Sequence, residues 1–349
     1  MTPAEITNKF SAEIAALEAI LKKNPRVLIT APGLADGDSV GSQLALRMMI
    51  QQKYPKCSVS IVNDEPLQDR YLFLPQVDSV LTPEKLDEKG VEPVFDLGIL
   101  VDGGIDRAGR VGPWFDACET TLFIDHHVVS ADYDYTLRMV DGNASSTTEI
   151  IYYLSQLPLF STEVDSDFAQ VIYLGLIFDT GFFRHSNTSP EAMELGAKLL
   201  RTGFDFTRVG ERGMLERTYA SLQLLSDTLA RATVSDDGKV IWSTLSQEKM
   251  KEHEAEIDDR EGIIDQLFLT HGIQVAALFF DLGNNQTKVS LRSHGSFNVA
   301  KFARSLTKHG GGHRKAAGAN FDVPMKQAVE LVLSRLSESL SGKASQSST

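Results

Sequence analysis

Thr121-Leu122-Phe123-Ile124-Asp125-His126-His127 is the stretch on which the reading of this 349-residue chain turns. Its first four residues suit a buried strand. That strand delivers one carboxylate and two imidazoles at its carboxyl end, where α/β sheets bind their ligands. Three further strand-like runs in the first half also end in aspartate. Val27-Leu28-Ile29-Thr30 leads to Asp36-Gly37-Asp38, Leu97 to Val101 ends at Asp102, and Leu174 to Phe178 ends at Asp179. Taken singly, Asp36-Gly37-Asp38 reads as a turn, and the Asp-His-His triplet as a solvated one. Four acidic strand ends together predict a binuclear metal site, and a pair of ions points to hydrolysis of a phosphate ester.

Outward from that stretch, strand and helix patterns alternate. Ser39 to Gln52, Ser145 to Gln156, Asp167 to Phe178 and Ser189 to Arg201 read as helices, with strand left open for the later part of the third. Ser58 to Asn63 and Asp96 to Val101 read as strands. The alternation predicts an α/β fold with a doubly wound, mainly parallel sheet in the N-terminal domain. Residues 4–22 read as one amphipathic helix, with Ile6, Phe10, Ile14, Leu17 and Leu21 on one face. Gly203, Gly210 and Gly213 loosen a polar stretch ahead of a long helix running to Ala230. The expected division is a catalytic domain over 1–205, a helical connector over 206–230 and a smaller C-terminal α/β domain over 231–340. In that second domain strands are expected at Val240 to Leu245, Gln274 to Phe280 and Thr287 to Arg292. Helices are expected around Gly262 to Leu269, Asn298 to Leu306 and Met325 to Leu340. A Ser- and Lys-rich tail, 341–349, is expected to be disordered.

Hydrophobic residues make up 42% of the chain, enough to build cores of this size. The net charge of −13 disfavours long nucleic acid, whose binding grows with the number of phosphates neutralised. No run approaches the roughly 20 apolar residues that span a membrane, and Met1-Thr2-Pro3-Ala4-Glu5 lacks the basic and apolar parts of a signal peptide. With Cys57 and Cys118 too isolated for a disulfide framework, a cytoplasmic protein is expected. One segment reverses the charge. From Leu282 to Phe321 there is no Asp or Glu, while Lys288, Arg292, Lys301, Arg304, Lys308, Arg314 and Lys315 all fall inside. Within it, Gly310-Gly311-Gly312-His313-Arg314-Lys315 combines glycines, which let backbone N–H groups approach an anion, with charged donors. A small anionic ligand is predicted there, with a flexible loop as the plainer alternative.

These elements together resemble the DHH–DHHA1 phosphoesterases, in the branch of bifunctional oligoribonucleases (nanoRNases) and pAp phosphatases. The resemblance spans about residues 15–335. It rests on Ala35-Asp36-Gly37-Asp38-Ser39-Val40-Gly41-Ser42, Val101-Asp102, Asp125-His126-His127, Asn143-Ala144-Ser145-Ser146-Thr147, Asp179-Thr180-Gly181-Phe182-Phe183-Arg184 and the Gly311-Gly312-His313 string. It implies a DHH domain followed by a DHHA1 domain and two Mn²⁺ ions, with Mg²⁺ as the alternative. Asp102 would bridge the ions, Asp38, His126 and Asp179 would complete one site, and Asp36 would help hold the other. A bridging hydroxide would attack phosphorus, with His127 orienting the phosphate or a ligand and Arg184 offsetting phosphate charge. Arg292, Ser293, Gly311, Gly312, His313 and Arg314 would take the terminal phosphate and nucleotide. The implied substrates are short 5′-phosphorylated oligonucleotides of two to five residues, linear dinucleotides such as pGpG or pApA, or the mononucleotide bisphosphate pAp.

Two departures from the family pattern stand out. Pro32 occupies the position, four residues before Asp36, where a His ligand is normal, so the ion site beside it is expected to be weak or empty. His309 stands where many relatives carry a further glycine. The alternatives are a cyclic di-AMP phosphodiesterase and, from a different class, a nucleotide-binding sensor with weakened catalysis. A homodimer is an open expectation.

Overall fold

In the first unit Val27 and Ile29 pack into one core and Leu28 into another, and all three are fully buried. A strand covered on both faces is the mark of a parallel sheet sandwiched between helices. The computed structural model describes residues 2–127, 133–312 and 314–341. It divides into two units, Met1–Glu216 and Arg217–Thr349.

The first unit opens with α1 (Pro3–Lys9) and α2 (Ser11–Leu21), then β1 (Arg26–Thr30), α3 (Gly37–Lys53), β2 (Ser58–Val62), β3 (Val80–Leu81) and α4 (Pro83–Glu88). There follow β4 (Leu97–Val101), α5 (Gly112–Asp116), β5 (Thr120–Asp125), β6 (Leu137–Val140), α6 (Thr147–Ser155), α7 (Ser166–Asp179), α8 (Pro190–Leu200) and α9 (Phe206–Gly210). The six strands are all parallel, in the order β3-β2-β1-β4-β5-β6. Helices cover both faces, as the doubly wound reading requires.

Two local expectations are corrected. The helix expected over 4–22 is two helices, because Phe10 leaves the helical region (φ −122°, ψ 31°). Ile6, Phe10, Leu17 and Leu21 still share one core. The run Leu174 to Phe178 is not a strand but the last turns of α7. That helix is buried from Val171 to Ile177, so its sequence is apolar all round and loses the 3.6-residue signal.

Close approach of α3 and α7 is achieved by glycine. A Cβ on Gly41 would overlap the carbonyl oxygen of Val171, and one on Gly175 would overlap Oγ1 of Thr148 and Oδ1 of Asp38. The packing of α7 on α3 and α6 therefore fixes where Asp179 ends up.

The second unit contains α10 (Tyr219–Ala230), β7 (Thr233–Val234), β8 (Val240–Leu245), α11 (Gln247–Glu252), α12 (Ile263–Phe268), β9 (Val275–Gly283) and β10 (Gln286–Ser293). It closes with α13 (Val299–Leu306), β11 (Gly311–Gly312), β12 (Ala316–Phe321) and α14 (Met325–Leu340). Its sheet runs β11-β12-β10-β9-β8-β7, antiparallel except for β8 with β9. Val275, Ala277 and Phe279 pack with α13 and α14, and Ala276, Leu278 and Phe280 with α10 and α12. Val289 and Leu291 join the first of these cores, so Lys288, Ser290 and Arg292 stand on the opposite face of β10. Residues 342–349 of the expected tail lie outside the described residues. No described helix is long and apolar enough to cross a membrane.

Gly41→Ala tests the helix contact. Overpacking costs about 1–3 kcal/mol, and better helix propensity returns about 1 kcal/mol at most. Net destabilisation is expected in urea unfolding; an unchanged or raised midpoint would contradict the close approach.

Candidate metal centre

Strand order reverses between β1 and β4, and the helices that follow them, α3 and α5, pack into different cores. Ligand sites form at such a point, beyond the carboxyl ends of the strands. Here the chain places Asp36 and Asp38 after β1, Asp102 after β4, and Asp125 and His126 at the end of β5. Asp179 arrives from the C-terminal end of α7.

Each side chain is held by its neighbours. Asp36 is the N-cap of α3, its Oδ1 accepting from the backbone N–H groups of Asp38 and Ser39 at 3.1 and 3.0 Å. Asp38 is fully buried, and its two oxygens accept from the N–H groups of Thr147 (2.6 Å) and Thr148 (2.9 Å) at the start of α6. A carboxylate in that position satisfies orphan donors and meets the positive end of the helix dipole. Asp102 adopts φ +60°, a left-handed conformation that Asp and Asn tolerate better than most residues. Its Oδ2 accepts from Ser39 Oγ at 2.6 Å and its Oδ1 from Thr147 Oγ1 at 3.4 Å. Asp125, also buried, accepts at Oδ1 from both the N–H and Nδ1 of His127, at 3.0 and 2.6 Å.

His126 shows what the centre is built to hold. Its Nδ1 faces the carbonyl of Ala144 at 3.4 Å, a partner that suits a neutral ring with its proton on that nitrogen. Nε2 is then a lone-pair donor 2.9 Å from Asp179 Oδ2, yet both atoms are buried without a hydrogen-bond partner. Two acceptors left facing each other fit a cation. Ligand atoms of Asp38, His126 and Asp179 lie within 4.8 Å of one another, as do those of Asp102, Asp125, His126 and His127. Carboxylates with imidazole form a donor set for a divalent transition ion such as Mn²⁺.

The electrostatics agree with the geometry. Burial pushes the Asp102 carboxyl well above the usual range, and the charges of Asp36, Asp38 and Asp179 push it further. Asp179 is raised in the same way, by burial first and then by Asp38 and Asp36. Asp36 is raised by burial, against the lowering effect of its backbone hydrogen bond. Among the described residues no Lys or Arg forms an ion pair with these carboxylates.

The other residues singled out in the sequence are placed as follows. Arg184 follows a left-handed turn at Phe182 and Phe183, and its Nε donates to the carbonyl of Gly181 at 2.7 Å. In the second unit Arg292 pairs with Asp265 at 2.9 Å, and buried Ser293 donates to the carbonyl of Phe297 at 2.8 Å. Gly311 and Gly312 form β11, with Gly312 at φ +126°. Arg314 is exposed and donates to the carbonyl of Ser296 at 3.3 Å; His313 lies outside the described residues. Sequence reasoning gave no role to Ser39, Thr147 or Thr148, although these position Asp102 and Asp38. The Ser146-Thr147-Thr148-Glu149 pattern of a capped helix start was the available signal.

Residues 26–176 match the DHH family, N-terminal domain, and residues 237–342 match the DHHA1 domain. The chain is 28% identical over 319 residues to a bifunctional oligoribonuclease and PAP phosphatase of Thermus thermophilus, covering 87% of each chain. It is 24% identical over 289 residues to the Bacillus subtilis protein of that name, covering 82% of this chain and 86% of the other. An exopolyphosphatase-related protein from Bacteroides fragilis shares the fold, with a TM-score of 0.85 at 22% identity over 94% of this chain and 96% of that one.

Asp102→Asn tests the crowding of charge, since Asn suits φ +60° and carries none. Without metal the variant is expected to melt above the parent at pH 7, and added Mn²⁺ is expected to raise the parent's Tm but not the variant's. A carboxyl whose folded pKa is raised destabilises the fold above that pKa, and the penalty fades as pH falls towards 3.8. The gap between the metal-free proteins should therefore narrow in acid. A variant that melts below its metal-free parent would count against the repulsion.

Proposed function

The chain belongs to the DHH–DHHA1 family, and from that premise we propose that it is a Mn²⁺-dependent phosphoesterase acting on pAp and on very short 5′-phosphorylated oligonucleotides. The observation that carries the reading is a pair of ligand-atom groups that share His126, one completed by Asp38 and Asp179 and the other by Asp102, Asp125 and His127, with two unpartnered acceptors facing each other. Asp38, Asp102, His126 and Asp179 would hold a divalent cation, and Asp36 would stand beside it. When bound, the ion supplies Lewis-acid stabilisation of phosphate charge and lowers the pKa of water in its shell.

The chain's own residues supply the positioning. Two N–H groups of α6 keep Asp38 from turning away, the carbonyl of Ala144 suits a proton on Nδ1 of His126, and Asp125 orients His127. Arg184 would offset phosphate charge. In the second unit Arg292, Ser293, Gly311, Gly312, His313 and Arg314 would bind a terminal phosphate. Short substrates follow from the charge balance: a net −13 repels an extended strand, while the acid-free segment 282–321 attracts a compact anion. Imidazole among the donors favours Mn²⁺ over Mg²⁺. Two free, buried cysteines suit a reducing, cytoplasmic setting.

The test is an assay of pAp, pApA, pGpG and cyclic di-AMP with Mn²⁺, using Asp102→Ala as control. Hydrolysis of pAp and the linear dinucleotides is expected, and the substitution should cost about a thousandfold or more, the weight of several kcal/mol of charge stabilisation. Turnover that survives Asp102→Ala would remove the metal reading. Tight binding without turnover would favour the sensor alternative, which the missing donor at Pro32 motivates.

A further inference from the structure

The loop after Asp102 carries a cation with no part in the centre described above. Gly103 has φ +126°, and a Cβ on it would overlap Nη2 of Arg107 and come within 2.9 Å of Cγ of Pro32. The guanidinium of Arg107 thus lies over the backbone of the residue that follows Asp102, against the proline that follows β1. The N–H of Gly33 donates to the carbonyl of Arg107 at 2.7 Å and ties the two loops together. Arg107 is exposed and ends a short 3-10 turn, Ile105–Arg107. Among the described residues no carboxylate forms an ion pair with it.

Donors for a second ion on this side are few. Pro32 offers none. One oxygen of Asp36 is taken by two backbone N–H groups, and Oδ2 of Asp102 accepts from Ser39. The groups of ligand atoms that do converge among the described residues all include His126.

We infer that Arg107 binds the substrate phosphate directly, supplying beside Pro32 the positive charge that a second ion would otherwise provide. The inference rests on the phosphoesterase reading and refines it to one cation and one guanidinium. Arginine suits the task, because its planar fork stays charged at every working pH and can donate two parallel hydrogen bonds to a phosphate. The absence of a side chain at Gly103 gives the guanidinium its seat.

Equilibrium dialysis would count Mn²⁺ in the parent, Arg107→Ala and Arg107→Lys. Calorimetry would measure the Mn²⁺-dependent binding of orthophosphate to each, with circular dichroism checking the fold and Arg107→Gln as a second neutral variant. One Mn²⁺ per chain is expected throughout. Phosphate affinity should fall about tenfold to a hundredfold in Arg107→Ala, the usual worth of a hydrogen bond to a charged group, and less in Arg107→Lys. Two tightly held Mn²⁺ in the parent, or a loss under twofold in the folded neutral variants, would overturn the inference. Turnover of pAp separates the two levels. If it depends on Asp102 while Arg107→Ala binds phosphate normally, only the inference falls. If it is absent or insensitive to Asp102→Ala, the phosphoesterase reading falls and takes the inference with it.

Discussion

The grip of two backbone N–H groups on the carboxylate of Asp38 is the constraint from which the first unit's active end follows. It joins the first turn of α3 to the first turn of α6, and it consumes the donors that α6 would otherwise leave unsatisfied. Because α7 packs on both helices through glycine, the same contact sets how near Asp179 comes to His126. A longer side chain at Gly175 would push directly on Asp38 and Thr148. Helix capping, helix packing and ligand placement are one problem in this unit.

Negative charge gathers at the centre, and among the described residues no Lys or Arg pairs with it. Four such carboxylates, Asp38 and Asp102 buried and Asp36 and Asp179 partly so, are costly in a metal-free protein. The surrounding hydrogen bonds offset part of that cost. Ser39 and Thr147 on Asp102, and the N–H groups on Asp36 and Asp38, stabilise the ionised forms. The remainder is a standing attraction for a cation, which is why geometry and electrostatics point to the same occupant.

Much of this could be read from the residues alone, and the failures have physical causes. Strands β1, β4 and β5 announced themselves as apolar runs ending in acid, which is how a doubly wound sheet displays its ligand edge. Asp179 was found for a partly wrong reason. A helix buried on every side has no polar stripe, so Leu174 to Phe178 looked like a strand while still delivering its aspartate to the right place. The short strands β3, β6 and β11 carry too few residues for any period to show. Ser39, Thr147 and Thr148 were passed over because their part is to donate protons to carboxylates distant in sequence, and no local pattern records a partner 63 or 109 residues away. Arg107 was silent for the same reason, since only the backbone turn at Gly103 brings it beside Pro32. In the second unit the basic segment was legible as composition. Its cost was not, for Arg292 is already paired with Asp265 and would have to share that bond with any ligand.

The left-handed turn at Asp102 and the long-range bonds around it bear on how the protein is made. The bonds from Ser39 and Thr147 to Asp102, and from Thr147 and Thr148 to Asp38, join residues 45 to 110 positions apart, and such contacts form late because chain entropy must be spent before they return anything. The carboxylates therefore meet only after most of the sheet and its helices are in place. A cation that recognises the finished cluster has little to hold during assembly. Its influence falls on the reverse step, lengthening the lifetime of the folded unit rather than hastening its birth.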